Sequence, residues 1–431
     1  LRGIRRMKLV CAPKTYAFPD DADVLRVILY GKADRPEDGS AGAALMKEVL
    51  RRKLVAPPQA WDLLSLALSV VAADFAGHRD KSPDGWAREF ELEVAVTDPA
   101  FWNSQAQAVE AALAFLTTDR WQVRFLAGGL LPEPPRDPIL PEEDCVVLLS
   151  GGLDSLVGAI DLVAGGKKPF AVSQTVRGDA EKQEQFAQRI GGGLRHLQLN
   201  HNARVPDPEN PPSQRARSIT FLAYGVLAAT TLSRYHEGET VTLYICENGF
   251  ISVNPPLTGA RLGSLSTRTT HPVFLSRVQQ LVDAAGLRLR IENPYQHKTK
   301  GEMLAGCADQ TLLKAEAASS TSCGRYKRYG YRHCGRCVPC QVRRAAFLAW
   351  GVTDTTDYVF GDIGRDDEDH AGFDDVRSAA MAIAEVQMDG LDNWLGTTLT
   401  STMLGDVTPL RDVIERGLAE IAALHRKYGV K

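Results

Sequence analysis

Cys145-Val-Val-Leu-Leu-Ser150-Gly-Gly-Leu-Asp-Ser155 decides how this chain reads, because an apolar run passes there directly into a small polar loop. Val146 to Leu149 read as a short buried strand, and Leu153, Leu156, Val157, Ile160 and Leu162 as the helix that follows. Gly151 and Gly152 let the backbone approach a phosphate, while Ser150, Ser155 and the amides of a helix N-terminus donate to its oxygens. The candidate nucleotide-binding segment is therefore Ser150, Gly151, Gly152, Leu153, Asp154 and Ser155, with Asp154 holding the loop or a magnesium ion. A Walker-type loop is excluded. No Gly-Lys-Ser/Thr closes the segment, and Gly165-Gly166-Lys167 stands at the far helix end, where the dipole repels phosphate. The bland alternative is a Gly-rich turn with no ligand.

Outward from this loop, strand and helix alternate. Residues 170–173, 196–199, 241–246 and 287–291 read as strands, and 180–190, 215–234 and 274–285 as helices between them. That alternation predicts an α/β fold on a parallel, Rossmann-like sheet covered on both faces, with ligands beyond the C-terminal strand ends. The loop at 150–155 and Cys246-Glu247-Asn248-Gly249 both emerge at that edge.

Residues 1–130 read as an α+β domain. It has a strand start at 7–18, a helix with Leu64, Leu68, Val71 and Phe75, and a strand alternating at Phe90, Leu92, Val94 and Val96. A helix with Val109, Leu113 and Leu116 and a strand at Trp121, Val123 and Phe125 complete it. Trp121 reads as core. Pro132, Pro134, Pro135, Pro138 and Pro141 exclude regular structure, so 131–143 reads as a linker into a nucleotide-binding domain at 144–352. Residues 353–431 read as a mostly helical extension that begins with a solvated charge run at 365–370. Val413, Ile414, Leu418, Ile421 and Leu424 form an apolar stripe there, for the core or for a partner.

With 44% hydrophobic and 24% charged residues, the 431-residue chain can bury at least one full core. A net charge of -3 gives no overall reason for direct nucleic-acid binding. No uninterrupted apolar run approaches the roughly 20 residues of a membrane span. The basic residues 1–7 lack the apolar centre of a secretory signal, Met7 reads as a natural start, and the expected compartment is the cytoplasm.

Four of the eight cysteines, Cys323, Cys334, Cys337 and Cys340, follow a Cys-x10-Cys-x2-Cys-x2-Cys spacing. Four thiolates with tight CxxC turns suit a closed zinc site, ahead of an iron-sulfur cluster or free thiols. Within the same loop, residues 325–333 alternate cations and aromatics, which suits stacking a base, gripping an acidic tail, or a plain solvated loop. Cys11, Cys145, Cys246 and Cys307 read as isolated buried residues.

The Ser-Gly-Gly-Leu-Asp-Ser segment resembles the PP-loop of ATP pyrophosphatases, which activate a substrate as an adenylate. Joined with Thr321-Ser-Cys323 and Cys334-Gly-Arg-Cys337-Val-Pro-Cys340-Gln-Val-Arg343, it resembles the 7-cyano-7-deazaguanine synthase family over roughly 143–352. The resemblance implies ATP, Mg2+ and a structural Zn2+, and ATP-dependent activation of 7-carboxy-7-deazaguanine before amide and nitrile formation with ammonia. Lys300-Gly-Glu-Met303 is similar to the family's Lys-x-Glu-apolar segment, implying that Lys300 neutralises phosphate charge. Gln214-Arg-Ala-Arg217-Ser218 resembles the opening of the family's long helix, so Arg217 faces phosphate or carboxylate, unless it is a surface arginine. Glu247, Asn248 and Arg268 are candidates for holding the purine-like base. His271 is a candidate proton acceptor or, equally, a structural hydrogen-bonding residue.

The chain departs from the plain synthase in its N-terminal domain, longer zinc loop and C-terminal extension. Ser266-Thr-Arg-Thr-Thr-His271-Pro also stands where the family has a Tyr-Pro-Asp-Cys-Arg-like segment. Enlarged relatives occur in bacterial anti-phage operons, the Qat system and type IV CBASS, and this chain is similar to them. That resemblance implies transfer of the deazaguanine to the N-terminus of a partner protein encoded in the same operon. The other readings are a plain synthase using ammonia, a catalytically silent scaffold, and a tRNA-thiolating PP-loop enzyme. The last would need a reactive cysteine pair and a basic surface that the sequence lacks.

Overall fold

A computed structural model describes residues 6–82, 84–175, 178–210, 213, 215–257, 268–365 and 375–430. Two five-stranded sheets organise the chain. The first holds β1 (Met7–Pro13), β2 (Val24–Leu29), β3 (Gly39–Ala41), β4 (Glu89–Val96) and β5 (Arg120–Ala127) in the order β3-β2-β1-β4-β5. The second holds β6 (Cys145–Leu148), β7 (Pro169–Gln174), β8 (His196–Leu199), β9 (Val241–Tyr244) and β10 (Leu289–Glu292) in the order β10-β9-β6-β7-β8. Every pairing in both is parallel.

The second sheet is the one the alternation predicts. Its central strand β6 is buried throughout, which is why Cys-Val-Val-Leu reads as continuous rather than alternating apolar sequence. Strand order reverses at β6. Loops leaving β6 and β9 therefore meet at the carboxyl edge, where sheets of this kind bind ligands.

The N-terminal unit is more regular than the α+β layer expected of it. Its strands are all parallel: helices Pro58–Ala76 and Ala106–Thr117 carry the chain back between β3 and β4 and between β4 and β5, and irregular segments do so between β1 and β2 and between β2 and β3. Strands β2 and β3 were not evident from periodicity. β3 has three residues, too few to show a period.

The two units share one apolar core, with helix Pro58–Ala76 lying on helix Arg217–Ala229. Helix Pro58–Ala76 is long and apolar enough to cross a membrane, but 89% of its most apolar window is buried within the protein. Its Asp74 is buried with Arg88 and Asp119, and the Arg88 guanidinium donates to both carboxylates at 2.6 Å. Asp74 also accepts the Ala216 amide at 3.2 Å, and Arg215 donates to the Thr117 carbonyl at 2.9 Å. The turn leading into Arg217 is thereby tied to the N-terminal unit.

Residues 130–143 contain no helix or strand. Beyond the second sheet, helices Asp375–Asp389 and Thr408–Tyr428 pack on helix Val338–Trp350; Ile414, Leu418, Ile421 and Leu424 belong to this packing, while buried Val413 meets Gly249. Gln214, Ser266, Thr267 and residues 366–370 of the charge run lie outside the described residues.

Candidate active site

The loop after β6 turns through Gly151 at φ +85°, a left-handed conformation that favours glycine, into helix Leu153–Ala164. Its polar atoms are organised among themselves. Ser155 Oγ donates to the Gly152 carbonyl at 3.0 Å and accepts the Ser150 amide at 3.2 Å, and Ser150 Oγ accepts the Gly152 amide at 3.1 Å. Leu153 is buried in the core beneath, so the turn is anchored while Ser150 stays exposed. The result is a preshaped cradle for an anion at a helix N-terminus.

Asp154 points inward from this helix and gathers the loop after β9. It accepts the Asn248 amide at 3.1 Å and Asn248 Nδ2 at 2.7 Å, and pairs with the Lys300 ammonium. Asn248 Nδ2 also reaches Glu247 at 3.0 Å, while Asn248 Oδ1 accepts the Ile251 amide and caps helix Gly249–Val253. Lys300 is delivered by the first turn of helix Lys300–Ala305, which Thr299 and Glu302 cap reciprocally. Burial pushes the Asp154 carboxyl upward, but Lys300, Glu247 and Asn248 outweigh it and hold it well below the usual range. Burial and the Asp154 charge drive Glu247 the other way, well above the usual value. Opposite shifts on these two neighbouring carboxyls favour charge on Asp154 over charge on Glu247.

Gly158 shows how tightly β9 and the loop helix approach, since a Cβ there would lie 2.2 Å from Cys246 Sγ.

Arg217 opens helix Arg217–Ala229, half-buried, where burial opposes its charge and the Asp179 carboxylate supports it. Arg268 and His271 sit elsewhere. Arg268 stacks on Phe115 at 4.9 Å and donates to the Phe115 carbonyl at 3.3 Å. His271 Nδ1 accepts the Val273 amide at 3.2 Å as the cap of helix Pro272–Ala284, and its ring packs edge-on against Phe115. Burial and nearby Arg268 lower its pKa to about 4. Among the described residues no contact joins either side chain to Asp154, Glu247 or Lys300. Of the two readings of His271, the geometry matches the structural one, with Pro272 at the first helical position.

The four cysteines converge as their spacing suggests. Their sulfurs lie within 4.8 Å of one another and are buried, with Cys323–Cys337 and Cys334–Cys340 each 3.9 Å apart. Zinc–sulfur bonds of about 2.3 Å in a tetrahedron place sulfurs about 3.8 Å apart, so the donor set fits zinc. Amides of Arg325 and Cys334 donate to Cys323 Sγ, and that of Cys337 to Cys334 Sγ, each at 3.3 Å.

This knuckle adjoins the loop cradle. The Thr321 amide donates to the Gly151 carbonyl at 2.9 Å, and Thr321 Oγ1 donates to Asp179 at 2.7 Å. Lys182 Nζ donates to Thr321 Oγ1 and Tyr326 OH, both at 2.7 Å, and Gln183 Nε2 donates to the Ser150 carbonyl at 3.1 Å. Buried Arg343 braces the same strip by donating to Ser320 Oγ at 2.8 Å and Ser322 Oγ at 3.1 Å. The Tyr331 ring lies over Gly178, where a Cβ would come within 2.5 Å. Asp179, Lys182 and Gln183 were not singled out from sequence, and Thr321 entered only as part of the cysteine motif. For the first three, their position after β7, beside the central strand, was the available signal.

Comparison with known proteins bears on the same region. A 7-cyano-7-deazaguanine synthase of Thiobacillus denitrificans is 36% identical over 240 residues, covering 97% of that protein and 50% of this chain. The chain belongs to the 7-cyano-7-deazaguanine synthase family. A second synthase, from Paracoccus denitrificans, is 37% identical over 248 residues and covered to 95%. The family model described as queuosine biosynthesis protein QueC matches residues 269–351, which include Lys300 and all four cysteines. Half of this chain lies outside the synthase match.

Proposed function

We propose that this protein binds ATP at residues 150–155, activates 7-carboxy-7-deazaguanine or a similar deazapurine acid as its adenylate, and transfers the acyl group to an amine. The observation that carries this reading is the buried group of Asp154, Lys300, Glu247 and Asn248 beneath a preshaped anion cradle. A carboxylate is a poor electrophile until one oxygen becomes a good leaving group, and adenylation does that. The carboxylate oxygen attacks the α-phosphorus, and pyrophosphate leaves with the electron pair of the broken P–O bond. Loop amides and Ser150 would hold the pyrophosphate, and Lys300 would oppose negative charge building at phosphorus. Asp154 offers an oxygen ligand for the magnesium that accompanies ATP. Zinc held by Cys323, Cys334, Cys337 and Cys340 would fix the knuckle that bonds to Gly151.

The acceptor we favour is the N-terminus of a partner protein from the same operon, in an anti-phage setting. Support comes from size, since the synthases match with about half the length and the remainder is available to a second polypeptide. The synthase reading, with ammonia as acceptor and a nitrile as product, is favoured by the 97% coverage of a whole synthase. One experiment separates them. The protein is incubated with ATP, magnesium, the acid and ammonium, with and without the co-expressed partner. Chromatography then follows the nitrile, and intact mass spectrometry follows the partner. A deazaguanine adduct that disappears with Asp154→Ala supports protein transfer, and free nitrile with an unmodified partner supports the synthase. Failure to bind ATP in calorimetry would leave a silent scaffold.

A further inference from the structure

The C-terminal helix Thr408–Tyr428 lies beyond residue 351, where the family-model match ends, yet one face of it holds both segments that build the Asp154 cluster. Residues 413, 416, 417 and 420 recur at helical spacing and share that face. Glu420 accepts from Thr299 Oγ1 and the Gly301 amide, the residues on either side of Lys300. The fit is close, since a Cβ on Gly301 would come 2.5 Å from Glu420 Oε1. One turn earlier, Arg416 donates to Glu302 at 2.6 Å and to the His297 carbonyl at 2.8 Å, gripping the same capped turn. Val413 and Gly417 meet the other segment. A Cβ on Gly249, next to Asn248, would lie 3.1 Å from Val413 Cγ1, and one on Gly417 would lie 2.3 Å from the Phe250 ring.

Helix Lys300–Ala305 has six residues, too short to hold its own orientation. Its cap is closed by Glu302 from within and by Glu420 from outside, and Lys300 stands between the two Glu420 contacts. The structure assigns Glu420 as a positioning residue for Lys300, and the C-terminal extension as part of the machinery that orients the phosphate-facing ammonium. The claim about catalysis rests on the proposed ATP reading; the claim about Lys300 placement does not.

Two measurements on the full chain test it. Reductive methylation with formaldehyde, mapped by peptide mass spectrometry, reports the protection of Lys300, which is 7% exposed. Glu420→Ala is expected to raise Lys300 labelling several-fold while half-buried Lys182 keeps its rate, and Glu420→Gln, which retains an acceptor for the Thr299 hydroxyl, restores most of the protection. In parallel, acid-dependent ATP–pyrophosphate exchange should fall in kcat by about 10- to 100-fold in Glu420→Ala with little change in KM for ATP, as misplacement of a charge-stabilising group predicts. In a Lys300→Ala background the further loss from Glu420→Ala should vanish. Unchanged Lys300 labelling, an equal rise at Lys300 and Lys182, or an equal kinetic loss in both backgrounds would overturn the assignment. A wild-type protein with no exchange but the labelling pattern above would refute the ATP reading and leave the positioning role standing.

Discussion

Replacing Lys300 with Met removes the cation paired with Asp154, a carboxylate 5% exposed, and leaves it the two donors of Asn248 and the neighbouring Glu247 carboxyl. Breaking a buried pair by removing one partner costs about 3–5 kcal/mol. Proton uptake sets an independent ceiling. Keeping Asp154 protonated in the folded variant at pH 7, against an ordinary value of about 3.9, costs about 1.36 kcal/mol per pH unit, or about 4.2 kcal/mol. The two figures agree, so a loss of about 4 kcal/mol is expected at pH 7. In the parent protein the Asp154 value is depressed, so its contribution is present above the ordinary value and lost only as pH falls through the folded value. It is therefore intact at both pH 5 and pH 7. In the variant the carboxyl is raised, and the penalty shrinks on acidification to about 1.5 kcal/mol at pH 5. Glu247 senses both Asp154 and Lys300, so the difference between the two pH values reports the whole cluster. Urea unfolding followed by tryptophan fluorescence at the two pH values measures it. Equal destabilisation at pH 5 and pH 7 would refute the coupling between Lys300 and Asp154.

Cys337→Ser should cost the protein its zinc in elemental analysis. Because Thr321 links the knuckle to Gly151, ATP–pyrophosphate exchange should fall by about tenfold or more; full exchange in the zinc-free protein would break that link. Gly151→Ala forces φ +85° on a residue with a Cβ, costing about 1–2 kcal/mol and weakening ATP binding in calorimetry; unchanged affinity would mean the loop tolerates another conformation. His271→Ala removes a helix cap and should lower stability by about 1 kcal/mol in thermal denaturation, with exchange preserved; loss of exchange in a folded variant would return His271 to the chemistry. Arg88→Met leaves Asp74 and Asp119 buried without their shared cation, for a loss of about 3–5 kcal/mol in urea unfolding; a loss under about 1 kcal/mol would mean the network relaxes.

The second sheet and the cysteine knuckle were legible because their signals are local. Cys-Val-Val-Leu is a buried strand by composition, and two CxxC turns need only a few residues to converge. Asp154 was legible as a motif position, but its partners were not legible as partners. Asn248 lies 94 residues away and Lys300 lies 146 away, and only the shared carboxyl edge of β6, β9 and β10 joins them. The N-terminal unit was harder. Helix Pro58–Ala76 is buried on nearly every face, so the spacing of Leu64, Leu68, Val71 and Phe75 marks a helix but not which side meets the sheet, and strand direction cannot be read without the crossovers. His271 shows the opposite difficulty, since a titratable residue before a proline looks equally like a base and like a cap. Its 3.2 Å bond to the Val273 amide matches the cap.

The shared core also bears on how this protein can be handled in pieces. Cutting the chain at the proline-rich segment to obtain a fragment of synthase size would uncover the face of helix Arg217–Ala229 that helix Pro58–Ala76 now covers. It would also strand Arg215, whose carbonyl and carboxylate partners both lie in the N-terminal unit. Such a fragment would enter water with a wet apolar flank and an orphaned cation. It should self-associate rather than stand alone, so the two halves must be inherited, expressed and engineered as one body.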